Sequence, residues 1–198
     1  MYGKLVFDLT ITIMALAAML PVMMLAAIAI KLEDGGPVFF RQTRVGQHGR
    51  IVWILKFRSV AIDAEAREDT EKAATDATAG VFFKAEADSR VTRTGRLIRA
   101  TSVDELPQLF NVLAGSMSMV GPRPLVPGEG ESVEFFVQRR ALVKPGITGL
   151  WQISGRSDVS EEERIRLDHS YVDNWSCVQD FVIVWRTLRA VLLRRGAY

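Results

Sequence analysis

Asp104 and Glu105 stand side by side in the stretch TSVDELPQLFNVL, directly ahead of Pro107 and an apolar helical pattern. Two carboxylates about 6 Å apart at an effective dielectric near 20 repel by about 3 kcal/mol. That is equivalent to roughly two pKa units. Such a pair either shares a proton or recruits a cation, which could be an arginine or a Mg²⁺ ion. A carboxylate facing a diphosphate, with a metal and guanidinium groups nearby, is equipped for nucleophilic attack on phosphorus. The same residues also have a purely structural reading. Ser102 with Glu105 fits the S-x-x-E capping box. Asp104 as N-cap would instead put Pro107 at the third helical position, where its missing N–H matters little. The second register is preferred, and it predicts a buried stripe of Leu106, Leu109, Phe110 and Leu113 ended by Gly115. A helix start there would keep the carboxylate ionised and also attract a phosphoryl group.

Cationic residues lie on both sides of the pair. Arg90, Arg93, Arg96 and Arg99 recur three apart in DSRVTRTGRLIRA. Planar guanidinium forks match phosphate oxygens. Gly95 and the β-branched Val91, Thr92 and Thr94 argue against helix before Arg96. Upstream, strand alternation in RIVWILKFR puts Lys56 and Arg58 on one surface with Val52 and Ile54, and Ile51, Trp53, Leu55 and Phe57 on the other. Downstream, Pro122 and Pro124 fix the backbone around Arg123 and hold one guanidinium in place. The cluster VKPGITGLWQISGRSDV, with Gly146, Gly149, Gly155, Trp151 and Arg156, reads as turns with close backbone approach and too much glycine for a regular element.

The elements that must carry these residues follow from hydropathy and turn signals. Leu9 to Ile30 contains no charged residue and is bracketed by Asp8 and Lys31. At 1.5 Å per residue, about 20 residues reach across a hydrocarbon core of roughly 30 Å. The run is long for a signal peptide and lacks a small-x-small cleavage site before Lys31. Pro21 removes a backbone hydrogen bond near its middle, which leaves open a kinked single span or a bent helix with both flanks on one side. After the turn Asp34-Gly35-Gly36-Pro37, Val38 to Val45 and the run through Arg58 read as a hairpin about Gly46–Gly49. Ala61 to Ala79 reads as an exposed helix followed by a loop. Near the carboxy terminus, Ser176 with Gln179 forms another capping box. Val184, Trp185, Leu188 and Leu192 then make an apolar face beside Arg186, Arg189, Arg194 and Arg195, which suits either an anionic membrane surface or packing on a core.

The 198 residues suffice for one compact domain with an appendage. The net charge of +2 predicts no nucleic acid partner. A lone Cys177 excludes an internal disulfide and fits a reducing compartment. His48 and His169 have no cysteine company and give no zinc pattern.

In order, GPVFFRQTRVG, LKFRS, DSRVTRTGRLIRATSVDELPQLFNVLAGSMSMVGPRP, KPGITGLWQISGR and YVDNWS resemble the bacterial sugar transferase family, the monotopic phosphoglycosyl transferases. The likeness runs from about Lys4 to the terminal RGAY. It implies transfer of a sugar 1-phosphate from a UDP-sugar to polyprenyl phosphate, with release of UMP, at the cytoplasmic face of the bacterial inner membrane. On the same resemblance Asp104 is the nucleophile, Glu105 its dyad partner, and both hold a required Mg²⁺. Lys56, Arg99 and Arg123 fall at basic positions of the active site, and Arg58, the surface neighbour of Lys56, is counted with them as substrate-binding. Pro21 matches the proline that breaks the family's re-entrant helix. Leu20 stands where some members have serine, and Val60 replaces a usual methionine. Larger members carry further transmembrane helices and a domain ahead of this core, for which the sequence has no room.

The resulting expectation is an α+β fold. Residues 1–31 form a Pro-kinked re-entrant helix, and residues 32–198 a catalytic domain with a short β-hairpin and interfacial amphipathic helices. The tail most resembles hexose-phosphate transferases that initiate exopolysaccharide synthesis, with galactose or glucose as the sugar. Expected partners are the UDP-sugar, polyprenyl phosphate and membrane lipid, with a homodimer left open. Two rival readings use the same residues: a membrane-bound UDP-sugar hydrolase, and a scaffold whose dyad only caps a helix.

Overall fold

The computed structural model describes residues 2–62, 90–127, 138–155 and 159–192. The helix expected from Ala61 to Ala79 and the residues Arg156, Arg194 and Arg195 lie outside these, except for the first two residues of that stretch. The fold is mixed α+β: α1 (Tyr2–Asp34), the antiparallel hairpin β1 (Phe39–Val45) and β2 (Ile51–Phe57), α2 (Arg93–Ala100), a 3₁₀ turn (Val103–Glu105) and α3 (Gln108–Leu113). Short strands β3 (Ser118–Val120) and β4 (Gly146–Thr148) pair in parallel, and α4 (Leu150–Ile153), α5 (Glu161–Asp173) and α6 (Cys177–Leu192) follow.

α1 is one helix through Pro21 and continues past residue 31 to Asp34. Among the described residues it alone is long and apolar enough to cross a membrane. Its inward stripe packs on the rest of the protein at both ends. Phe7, Ile11, Ala15 and Leu16 meet a core built on Ile54, Leu109, Val112, Met117 and Ile183. Met23, Ala26 and Ile30 meet Phe57 and Ile98. Between these two contacts residues 17–22 are exposed all the way round, and Pro21 lies among them. The carbonyl of Ala17, which a proline at position 21 cannot satisfy, therefore falls where the helix stands clear of the protein.

The amino-terminal contact is polar as well as apolar. Asp8 accepts from Ser118 Oγ at 2.9 Å and from the Met119 amide at 3.1 Å. Lys4 reaches Asp180 at 2.8 Å and the Val120 carbonyl at 2.9 Å. Asp180 also accepts from Tyr171 Oη at 2.8 Å and Trp175 Nε1 at 3.0 Å. Two residues of the YVDNWS motif are thus explained as donors that seat the α5–α6 corner. Burial first, then the neighbouring Asp180 charge, pushes the Tyr171 hydroxyl well above its ordinary value and keeps it a donor.

The hairpin forms in the register Phe39↔Phe57 to Val45↔Ile51. The inward face carries Ile54 and Lys56, while Ile51 and Trp53 are exposed. Phe57, at the strand's end, is buried and stacks on Phe39 with ring centres 5.5 Å apart. On β2's outer edge Asn111 acts as a substitute strand: it accepts from the Leu55 amide at 2.9 Å and donates to the Trp53 carbonyl at 2.7 Å. The glycine-rich cluster departs from expectation, because Gly146–Thr148 is a strand and Leu150–Ile153 a helical turn. The close approach inferred there is real, since a Cβ on Gly146 would lie 2.1 Å from the Gly121 nitrogen.

α6 is capped at Ser176, whose Oγ accepts from the Gln179 amide at 3.1 Å. Only that half of the expected capping box forms, since among the described residues Gln179 Oε1 is buried without a partner. The exposed apolar face of α6 is also rotated from the expected one. Val178, Phe181, Trp185 and Leu188 are exposed, whereas Val184 packs partly against the core. The register is set by Asp180 and Ile183, which are drawn inward by the Lys4–Tyr171–Trp175 network and the core.

Candidate active site

Both dyad residues sit on the 3₁₀ turn Val103–Glu105, which reverses the chain between α2 and α3. Ser102 makes the reversal in a left-handed conformation, φ 56°, and its side chain forms no cap hydrogen bond. Neither sequence register is realised. The capping box is absent, and α3 begins at Gln108 with Pro107 at its N-cap, where a missing N–H leaves nothing unsatisfied. This displacement also turns the helix: Leu109 and Val112 are buried, while Phe110 and Leu113 are on the exposed side. Gly115 does end it, in the left-handed conformation at φ 78°.

α2 starts earlier than expected, at Arg93, for two reasons. Thr92 is the N-cap and accepts from the Gly95 amide at 2.9 Å. Gly95 is needed for contact, since a Cβ there would lie 2.0 Å from the Ser59 carbonyl oxygen. The helix therefore lies against the end of β2 and delivers Arg99 in its last turn, where Arg99 Nε donates to Ser59 Oγ at 2.8 Å. From β2, Lys56 Nζ reaches Glu105 Oε1 at 2.9 Å.

Asp104 is the perturbed member of the group. Burial first, and then the charge of Glu105, pushes its carboxyl up to about 6, and the charges of Lys56 and Arg99 only partly pull it back. Asp104, Glu105, Lys56 and Arg99 are thus brought together from three elements. The result is a half-desolvated carboxylate of raised basicity beside two cations, a group suited to attack on an electron-poor phosphorus.

Two expected site residues are placed differently. Arg58 lies beyond the strand and is buried, with both Nη atoms on the Asp34 carboxylate. Its Nε donates to the Pro37 carbonyl at 2.6 Å and Nη1 to the Val60 carbonyl at 2.9 Å. Arg58 is therefore used up in structure and does not face the dyad as a free phosphate ligand, because the β-strand alternation that paired it with Lys56 ends at Phe57. Arg123 is exposed, with its guanidinium 6.0 Å from the centre of the Trp151 ring. No hydrogen bond or ion pair joins it to the dyad among the described residues. Its carbonyl accepts from Arg140, a buried residue paired with Asp168 at 3.1 Å.

Sequence reasoning missed Glu33, Ser59, Asn111, Arg140 and Asp168. Asp34 read only as the first residue of a turn, and Glu33 beside it carried no signal of a partner sixty residues away. Asn111 and Asp168 lie inside helical patterns, where a polar residue gives no hint of its partner.

A further constraint concerns metal. Among the described residues no group of three or more His, Cys, Asp and Glu side chains forms an all-protein cage. Mg²⁺ does not need one, since it typically takes one or two carboxylates with waters and substrate phosphates. The adjacent Asp104 and Glu105, with the raised carboxyl of the former, fit that kind of open site.

The bacterial sugar transferase family model matches residues 1–194. The galactosyl transferase CpsE of Streptococcus agalactiae is 48% identical over 166 residues, covering 83% of this chain and 37% of that protein. An undecaprenyl-phosphate galactose phosphotransferase of Salmonella typhimurium is 43% identical over 207 residues, covering 98% and 41%. The exopolysaccharide production protein ExoY of Sinorhizobium fredii is 42% identical over 200 residues, covering 97% and 86%. The chain thus spans well under half the length of the first two relatives and most of the third.

Proposed function

The chain belongs to the bacterial sugar transferase family, and from that premise we propose that it transfers a hexose 1-phosphate from a UDP-sugar to polyprenyl phosphate. The sugar is galactose or glucose, and galactose appears in the names of two of the relatives. The product initiates an exopolysaccharide or a related glycoconjugate.

The observation that carries this reading is the setting of Asp104, raised by burial and by Glu105 and faced by Lys56 and Arg99. In the first step an Asp104 oxygen attacks the phosphorus bearing the sugar. The bond from that phosphorus to the bridging oxygen breaks, and UMP leaves with the bridging oxygen and its electron pair. In the second step a phosphate oxygen of the polyprenyl carrier attacks the same phosphorus, and the Asp104 carboxylate departs. Lys56 holds Glu105 in place at 2.9 Å and offsets the charge gathered around the diphosphate. Arg99 adds a fork for phosphate oxygens. Mg²⁺ held by Asp104 and Glu105 would supply further neutralisation of the diphosphate.

The acceptor's head group lies at the membrane surface, so the dyad must lie at headgroup depth. Two features of α1 support a re-entrant seat, which on the family resemblance lies at the cytoplasmic face. Both of its ends dock on one body, and only the stretch around Pro21 stands clear. A straight helix of 33 residues is about 50 Å long. A perpendicular span of that length could not leave both ends docked on a domain lying to one side. The exposed Val178–Phe181–Trp185–Leu188 face of α6 offers a second apolar contact with lipid.

The test is trapping. Wild-type protein in nanodiscs is incubated with UDP-[³²P]sugar labelled at the sugar phosphate, without acceptor, and quenched. Label on the peptide containing Asp104, chased into lipid by polyprenyl phosphate, is the expected result. Steady UMP release without acceptor would indicate hydrolysis instead.

A further inference from the structure

Glu33 and Asp34, adjacent carboxylates at the end of α1, each hold one of the two elements that bring cations to Asp104. Glu33 Oε1 accepts from the Arg93 amide at 2.8 Å and the Thr94 amide at 3.3 Å, and Oε2 from the Thr94 amide at 3.2 Å. Glu33 therefore caps the first turn of α2 from a distant part of the chain, and Arg99 sits in that helix's last turn. Asp34 takes both Nη atoms of Arg58, two residues beyond Lys56. The residue between Arg58 and Val60, Ser59, joins the two halves: its Oγ accepts from Arg99 and its carbonyl from the Thr92 amide at 3.1 Å. Glycines make room for the contact, since a Cβ on Gly36 would lie 2.7 Å from Arg58 Nη2.

We propose that Glu33 and Asp34 form a clasp through which the lipid-facing helix sets Lys56 and Arg99 against Asp104. This rests on the transferase reading above, and both acids are positioning residues with no contact to substrate. An eight-residue helix is too short to hold itself in place. Its orientation comes from what grips it, and the grip on its first turn comes from α1. A misplacement of about 1 Å in a positioning group can lower a rate on the order of a hundredfold. The clasp also fixes the site relative to the lipid, because the helix that dips into lipid and the helix that carries Arg99 share this joint.

The experiment uses the full chain in nanodiscs, with UDP binding followed by calorimetry and turnover of the UDP-sugar measured beside it. Glu33 is exposed, so Glu33→Ala is expected to fold. The expected result is a UDP Kd about tenfold weaker, a parallel rise in KM for the UDP-sugar, and unchanged binding stoichiometry. Glu33→Gln, which keeps an oxygen acceptor, is expected to recover most of the affinity. A merely structural role would lower the stoichiometry and leave the Kd of the competent molecules unchanged, and that result overturns the clasp. Glu33→Asp keeps the charge and shortens the reach by one methylene, so it serves if the alanine variant is poorly folded. At least a twofold loss of UDP affinity is expected, and none overturns the proposal. Wild-type protein that fails to bind UDP would overturn the transferase reading and the clasp together. Wild-type binding with Glu33→Ala unaltered overturns the clasp alone.

Discussion

At the amino-terminal end of α1, Asp8 and Asp180 are surrounded by fixed donors: Lys4, Ser118, the Met119 amide, Tyr171 and Trp175. At the dyad, Asp104 is partly buried, yet among the described residues no other side chain donates to it, and its nearest companions are another carboxylate and two cations held by other contacts. The two regions use the same residue type under opposite rules. Burying a carboxylate is tolerable when hydrogen bonds replace water, and a group so satisfied has no lone pair to spare for chemistry. An acid left short of donors is unstable in the free protein and available to a substrate. Deleting each acid in turn tests whether that division is real.

The largest effect is expected at the unsatisfied acid. Asp104→Asn removes the anionic oxygen while keeping shape and is expected to lower UMP release by a factor on the order of 10³ or more. Full turnover by that variant would reject the covalent role. Next comes the satisfied acid. Asp180 is fully buried, and Asp180→Ala would take the acceptor from the Trp175 indole N–H and the carboxylate from Lys4 and Tyr171, which would keep only the Val120 carbonyl and, for Lys4, Asp8. A loss of about 2–4 kcal/mol is expected, read as a lower midpoint in denaturant-induced unfolding. Residual folded enzyme should keep its KM for the UDP-sugar. A normal midpoint would mean that the network at that end of α1 is incidental.

How much of this contrast could be read in the chain alone depends on the range of the interactions. The apolar run of α1, the hairpin about Gly46–Gly49 and the stop at Gly115 are written in neighbouring residues, and they were legible. The pairing of Asp104 and Glu105 was legible too, because it is local. The helix registers were not. Pro107 and Gly95 carry opposite lessons: one moved a helix start later than the cap pattern suggested, and the other allowed an earlier start because Ser59 lies against it. Contacts spanning the chain left no trace in spacing, as with Lys4 and Asp180, Asp34 and Arg58, or Asn111 and β2. Arg58 shows the risk. Strand periodicity assigned it to the surface with Lys56, but the strand ends one residue before it and a distant carboxylate claims it.

A smaller effect should follow from weakening the cations around the dyad. Lys56→Met removes the partner of Glu105 and one of the two charges that restrain Asp104. The expected loss in kcat/KM is 10- to 100-fold, about 1.4–2.8 kcal/mol. Lys56→Arg should retain part of it by keeping the charge without the same reach. If Lys56→Met leaves kcat/KM unaltered, the ion pair is a surface ornament and the asymmetry between the two regions rests on burial alone.

The smallest expected effect is on stability, and its sign distinguishes a reactive acid from a helix cap. The Asp104 carboxyl has an ordinary value of 3.8 and is raised to about 6 in the fold. A raised acid is favoured protonated in the native state, so ionised Asp104 destabilises the fold at pH above 6, and the penalty vanishes as pH falls below both values. Two pKa units correspond to about 3 kcal/mol. Partial exposure and solvent screening bring this down to about 1–2 kcal/mol. Asp104→Asn, inactive by the first prediction, should therefore be more stable than wild type by that amount at pH 8. The gap should close as pH drops through 6 toward 4. A cap role predicts the opposite sign, a loss of about 1 kcal/mol, because an N-cap aspartate stabilises its helix while ionised. Unfolding midpoints of the two proteins, taken at pH 8, 6 and 4.5 in the same lipid, decide between them. A variant less stable than wild type at pH 8 would place Asp104 among the satisfied acids and remove the distinction between the two ends of the molecule.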